Sequence, residues 1–168
     1  MASYLQFAVL LGFAGLMLAA AFEDLRRLTI PNTMTLAMCL LWPLHLFGEP
    51  SLYGALGALG CALAVFLVGA LCFSRGYLGG GDVKLLAAAT LWAGPTGTPA
   101  LLLITGLLGG LLAAFLIMPP GAYIAELARV KLGPANPPAT ASGLATPIPY
   151  GIAIASAAII VIFLPHFR

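Results

Sequence analysis

Asp24 and Asp82 are the residues in this chain best placed to do chemistry. Asp24 closely follows an apolar run, Tyr4 to Phe22. Asp82 ends the glycine string Gly79-Gly80-Gly81-Asp82 and opens another apolar run. A carboxylate at or near hydrocarbon depth is costly, so it usually marks function. Two in matching positions suggest an acid/base pair at one membrane face. In such a pair one ionised aspartate takes a proton from water. The other, protonated, hydrogen-bonds the carbonyl of a scissile amide and later helps the amine leave. Two nearby carboxylates cannot both ionise easily, and a low dielectric adds to that effect. The pair therefore shares a proton, and its apparent pKa values belong to the dyad.

The same residues admit other chemistry. Glycines before Asp82 permit backbone conformations closed to other residues and let an extended substrate approach closely, so Gly79, Gly80 and Gly81 are expected to shape the site. A glycine string can also cradle phosphate, but Gly79 to Lys84 has neither the Walker spacing nor the G-x-G-x-x-G fingerprint. The aspartates as a metal-binding carboxylate pair is a further reading. It lacks a nearby histidine, since His45 and His166 are expected on the opposite side, and no metal or cofactor is expected. Asp82 as a helix cap, accepting backbone N–H bonds and favouring the helix dipole, is the plainer reading. Lys84, two residues on, is either an anchor whose stem snorkels to the headgroups or an electrostatic influence on the dyad.

The elements that must position these residues are apolar helices. Of 168 residues, 62% are hydrophobic and only 7% are charged, far below the usual quarter. Several stretches reach the roughly 18 to 20 apolar residues that cross a bilayer. The expected fold is all-α: a polytopic membrane protein of about six transmembrane helices, forming a single membrane-embedded domain over residues 1–168. The segments run roughly over 4–22, 32–47, 52–73, 83–95, 99–119 and 147–164. The fourth is short for a full span, and it and the fifth could instead form a re-entrant pair. The net charge of +2 is too small to suggest nucleic acid.

Charge placement tests this threading. With the N-terminus outside, the segments 23–31, 74–82 and 120–146 face the cytoplasm. They and their flanks carry Arg26, Arg27, Arg75, Lys84, Arg129 and Lys131, and the outward parts carry only Arg168. This is a strong positive-inside bias. It brings Asp24 and Asp82, 58 positions apart in sequence, to the cytoplasmic side together. The first segment lacks the basic n-region of a cleaved signal peptide and reads as a retained helix.

Elsewhere the sequence reads more plainly. Cys39, Cys61 and Cys72 all lie in apolar runs without a C-x-x-C, and are expected to pack as small apolar residues. Gly54, Gly57 and Gly60, and the cluster Gly106, Gly109 and Gly110, are expected to let helices approach closely. Residues 120–132 suggest a short interfacial helix with a Glu126–Arg129 pair. The Gly133-Pro134 stretch up to Gly143 reads as a cytoplasmic connector or a substrate-contacting flap. Asn32, following Pro31, is expected to cap the second helix. No internal repeat of the inverted-repeat transporter kind is found.

The stretch from Asp24 to Asn32, Asp-Leu-Arg-Arg-Leu-Thr-Ile-Pro-Asn, resembles the first signature of the type IV prepilin peptidases. Gly79-Gly80-Gly81-Asp82-Val83-Lys84-Leu85 resembles their second, the G-x-G-D motif, shared more loosely with preflagellin peptidases and presenilin-like proteases. Pro147-Ile148-Pro149-Tyr150-Gly151 resembles the start of the last helix in the short, Tad/Flp-type members, an element expected near the site. The resemblance implies that Asp24 and Asp82 are the catalytic pair. It also implies a substrate: a prepilin or pseudopilin with a short basic leader, cut at the cytoplasmic face just before its hydrophobic helix. The expected location is then a bacterial inner membrane, with lipid and the prepilin as partners. The long members carry an extra N-terminal cytoplasmic region and also N-methylate the pilin. Here the first span starts at about residue 4, so cleavage without methylation is expected. A non-enzymatic membrane assembly subunit and a protease cutting inside a span are the alternatives. The sequence sets neither an oligomeric state nor a particular pilin.

Overall fold

The computed structural model of the chain describes residues 2–46, 51–121, 123, 124, 127 and 148–164. These are almost entirely helical: α1 (Ala2–Arg27), α2 (Asn32–Leu46), α3 (Leu52–Ser74), α4 (Gly80–Ile117) and α5 (Tyr150–Phe163). Three stretches are long and apolar enough to cross a membrane, Tyr4–Arg27, Leu52–Ser74 and Gly80–Ile117, and Tyr150–Phe163 is a shorter apolar helix. The all-α, membrane-type class expected from composition is the observed one. Residues 119–121, 123, 124 and 127 are also helical. Glu126, Arg129 and Lys131, and the connector up to Pro147, lie outside the described residues.

Helix α4 contains a reversal. At Gly94 the backbone adopts φ 65° and ψ −176°, a combination closed to residues with a Cβ. Pro95 follows and cannot donate to the preceding turn. Contacts on either side give the direction of the two halves. Gly69 near the end of α3 faces Val83, and Gly57 near its start faces Pro95, so residues 80–93 run antiparallel to α3. Gly97 faces Val161 and Gly109 faces Tyr150, so residues 95–117 run back antiparallel to α5. The fourth and fifth apolar segments are thus a tight helical hairpin. The loop expected at 96–98 is absent because Thr98, whose hydroxyl donates to the Gly94 carbonyl at 2.6 Å, already belongs to the second helix. At 1.5 Å per residue the first half is only about 21 Å long, shorter than a bilayer core.

The helices are held by shape rather than by charge. Phe13 of α1 stacks on Trp92 of α4 with ring centroids 4.4 Å apart. The Trp92 indole N–H donates to the Met38 carbonyl of α2 at 3.0 Å, in a buried position. Phe13, Met17, Met38, Leu85 and Leu101 are fully buried. Small residues set the approach distances, as expected where lipid gives no hydrophobic drive between helices, but fewer glycines do so than the sequence suggested. Gly57 and Gly109 are indispensable to close contacts: an added Cβ would stand 2.6 Å from Pro95 Cγ and 2.6 Å from Tyr150 Cε1. At Gly60, Gly106 and Gly110 it would meet nothing within 4 Å, and at Gly54 only the Ser51 side chain that caps α3. Spacing along one helix cannot say which glycine of a cluster faces a neighbour.

Candidate active site

Asp24 lies inside α1, in its last turn, not beyond the helix end as the apolar run suggested. That position is electrostatically poor for a carboxylate, because the last turn carries the negative end of the helix dipole. It is also buried, at 5% exposure. Compensation comes from across the fold. The backbone N–H of Gly151, in the first turn of α5, donates to Asp24 Oδ2 at 2.7 Å. The positive end of one helix thus meets a carboxylate on the negative end of another. A side chain at 151 would intrude: its Cβ would stand 2.8 Å from Oδ2, 2.9 Å from Asp24 Cβ and 3.0 Å from Cγ. The two residues are 127 positions apart.

Asp82 is the third residue of α4 and is partly buried. Its carboxylate reaches back to the backbone of Gly79, the N-cap position, as an acidic third residue does in a capping box. The plain capping reading therefore describes part of what Asp82 does. It does not describe Asp24, which stands at the wrong end of its helix for a cap.

The fold brings the two aspartates to one place. Both line a cavity of about 270 Å³, together with Leu28, Thr29, Ile30, Gly80, Gly81 and Lys84. At about 30 Å³ per water that is room for roughly nine waters, enough for a short stretch of extended polypeptide and an attacking water. Leu28 is held at φ 53°, strained for a branched side chain, where its N–H closes α1 by donating to the Asp24 carbonyl at 2.8 Å.

The glycine string does not use the backbone freedom that was expected of it. Gly79 is extended, with φ −73° and ψ 140°, and Gly80 and Gly81 are helical. None has a positive φ; among the described residues the glycines that do are Gly76 and Gly94. What the string supplies is space. A Cβ on Gly81 would stand 3.2 Å from Ile30 Cβ, one on Gly80 3.3 Å from Phe73, and one on Gly79 2.7 Å from Asp82 Oδ2. The start of α4 can thus press against the α1–α2 connection that carries Ile30.

Lys84 donates from Nζ to Asn32 Oδ1 at 2.9 Å, tying the first turn of α4 to the first residue of α2. The expected cap at Asn32 gives way to a link between helices, while at the start of α2 the Met34 N–H donates to the Pro31 carbonyl at 3.1 Å and Thr35 Oγ1 donates to the Asn32 carbonyl at 3.0 Å. Neither this pairing nor the Gly151 bond was readable from sequence. A glycine next to Tyr150 at a helix start, after two prolines, was the only hint of the latter. Arg27 pairs with Glu23 at 3.1 Å, and Arg26 lies over the Phe22 ring at 5.4 Å. His45 stacks on Trp92, near the reversal at Gly94 and away from the aspartates. Among the described residues no three of His, Cys, Asp and Glu gather as metal ligands would.

Residues 11–114, more than half of the chain, match the sequence profile of the type IV leader peptidase family. No curated protein and no solved structure matches the chain at a comparable level. The matched stretch contains both aspartates and the whole glycine string, and stops short of α5, which supplies the bond to Asp24. On that match the chain belongs to the type IV leader peptidase family and is a peptidase of that general kind.

Proposed function

We propose that the chain is an aspartic endopeptidase of a bacterial inner membrane, one domain over its whole length, with Asp24 and Asp82 as its catalytic pair. The observation that carries this reading is the shared cavity: two carboxylates from helices 58 positions apart line one small space beside a glycine-lined wall. In the reaction one aspartate, ionised, takes a proton from a water between the pair. The hydroxide equivalent attacks the scissile carbonyl while the other aspartate, protonated, hydrogen-bonds its oxygen. Collapse of the tetrahedral species breaks the C–N bond, and the proton taken from water passes to the leaving amine. The Gly151 N–H, which donates to Oδ2 of Asp24, restrains that carboxylate and leaves Oδ1 for the reacting water on this reading.

The substrate on this reading is a prepilin or pseudopilin, cut at the cytoplasmic face between a basic leader and the apolar helix that follows. The excess of Arg and Lys on the segments bearing the aspartates supports that sidedness. The Ile148-Pro149-Tyr150-Gly151 start of α5 supports a place in the Tad/Flp pilus subgroup. Asp24→Asn and Asp82→Asn test the reading. Each is expected to abolish cleavage of a co-expressed prepilin while leaving the protein folded in the membrane. Near wild-type cleavage by either variant overturns the dyad, and a product cut inside the apolar helix overturns the assigned substrate site.

A further inference from the structure

Beside the aspartate cavity lies a second, larger concavity of about 670 Å³, open on the outer surface of the bundle between α2 and α3. α2 packs on α1 and α4, and α3 packs on α4, but α2 and α3 make no comparable contact with each other. The space between them is walled on three sides by helical stripes. Lys84, Ala87, Ala88 and Leu91 of α4 form the floor, at i, i+3, i+4 and i+7. Asn32, Leu36 and Cys39 follow the same spacing on α2, and Leu59, Leu63 and Phe66 on α3. In the floor Ala88 (3%) and Leu91 (7%) are buried, Ala87 is partly buried and Lys84 at the polar end is exposed, whereas Leu36, Leu59 and Leu63 on the walls are about half exposed. The lining thus has a buried apolar base between two half-exposed apolar walls.

The dimensions fit one kind of occupant. From Lys84 to Leu91 the floor runs about 10 Å, two helical turns, and two turns of a helix about 10 Å across occupy about 800 Å³. The polar end of the groove, at Asn32 and Lys84, is the end next to the aspartates, and Lys84 lines both spaces. A chain whose polar segment enters the aspartate cavity would present whatever follows it to this groove. We propose that the groove between α2 and α3 receives the first two turns of the apolar helix that follows the scissile bond of the substrate. This inference rests on the leader-peptidase reading of the aspartates. The three-sided stripe geometry and the continuity with the aspartate cavity favour a helix over a lipid chain, which needs neither.

The test uses the full chain in proteoliposomes, with Cys61 and Cys72 replaced by Ser so that exposed Cys39 on the groove wall is the remaining thiol. Asp82→Asn blocks turnover, so binding is read without chemistry. A prepilin with single cysteines stepped through the first three turns of its apolar helix is then joined by a short bismaleimide. Crosslinks to Cys39 are expected from one helical face, recurring every three to four residues. They should be absent when the enzyme thiol is moved to lipid-facing position 103 by Leu103→Cys with Cys39→Ser. In the active enzyme, Leu63→Trp is expected to lower at least tenfold the ratio of kcat/KM for the helix-bearing substrate to that for a leader peptide lacking the helix. Leu103→Trp should leave that ratio unchanged. No crosslink at Cys39, crosslinks equal at both positions as a lipid-filled groove would give, or Cys39 joined only to Cys39 of a second copy would each overturn the groove assignment. An unaltered ratio in Leu63→Trp would do the same. Failure of the aspartate reading is recognised separately, by wild-type cleavage in Asp24→Asn or Asp82→Asn.

Discussion

Gly151→Ala introduces one methyl group where the candidate site has no room for it. The new Cβ would stand 2.8 Å from Asp24 Oδ2, 2.9 Å from Asp24 Cβ and 3.0 Å from Cγ, whereas ordinary contact begins at 3.4 Å. Rotating the carboxylate does not relieve the clash, because the Asp24 Cβ is itself too close. Either α5 withdraws by about half an ångström or more, or Asp24 moves with its helix end; both stretch the 2.7 Å bond from Gly151. A hydrogen bond to a charged group contributes about 1.5–3 kcal/mol, and Asp24 is too buried for water to replace it freely. Misplacement of a reacting group by about 1 Å costs on the order of 100-fold in rate. The expected result is a fall of about 100-fold in kcat and in kcat/KM together, since the displaced group acts in the transition state. The assay is cleavage of purified prepilin in proteoliposomes, with thermal unfolding followed in parallel. Gly97→Ala is the control: its Cβ would crowd Ala93 Cβ at 3.1 Å and Val161 at 3.2 Å, a contact of α4 with the other end of α5. It is expected to lower stability by about 1–3 kcal/mol and to keep turnover within about threefold. If Gly151→Ala cleaves as well as Gly97→Ala, the bond from α5 does not position a catalytic carboxylate and the reasoning fails.

Three further outcomes are expected. Lys84→Met and Asn32→Ala each remove the exposed bond between α4 and α2, and each should cost under about 1 kcal/mol; in the double variant the losses should not add, and a summed loss in denaturant titration would refute the link. Gly69→Ala places a Cβ 2.7 Å from Val83 Cγ1 and should destabilise the α3–α4 contact by about 1–3 kcal/mol, whereas Gly60→Ala meets nothing within 4 Å and should stay within about 0.5 kcal/mol. Trp92→Phe leaves the buried Met38 carbonyl without its 3.0 Å donor and should cost about 1–3 kcal/mol, read as an earlier unfolding midpoint.

The physical character of the chain was legible without coordinates. Apolar runs of bilayer length report on a single segment at a time, so the helical class and the approximate spans followed from residues 4–22, 52–73 and 99–119 alone. The two aspartates stood out for an equally local reason, a charge bordering hydrocarbon, and basic residues counted segment by segment put both on one side. Where reading by segment misled, the missing quantity was always which way a residue faces. The glycines of Gly79-Gly80-Gly81 were expected to adopt backbone conformations closed to other residues, but they are extended or helical and make room for Ile30, Phe73 and Asp82. Asn32 was expected to cap its own helix, yet its side-chain oxygen is taken by Lys84, 52 positions away.

The kinds of residue present, their order and the hydropathy and charge of each segment are properties of the covalent chain, because each is set by the residues of that segment alone. The meeting of Asp24 with Gly151 depends on α1 and α5 lying antiparallel, on the reversal at Gly94 that lets α4 contact both α3 and α5, and on the absence of a Cβ at the point of closest approach. Those are packing relations over 127 positions, and van der Waals contact at 3 to 4 Å leaves no trace in the spacing of residues along a single helix.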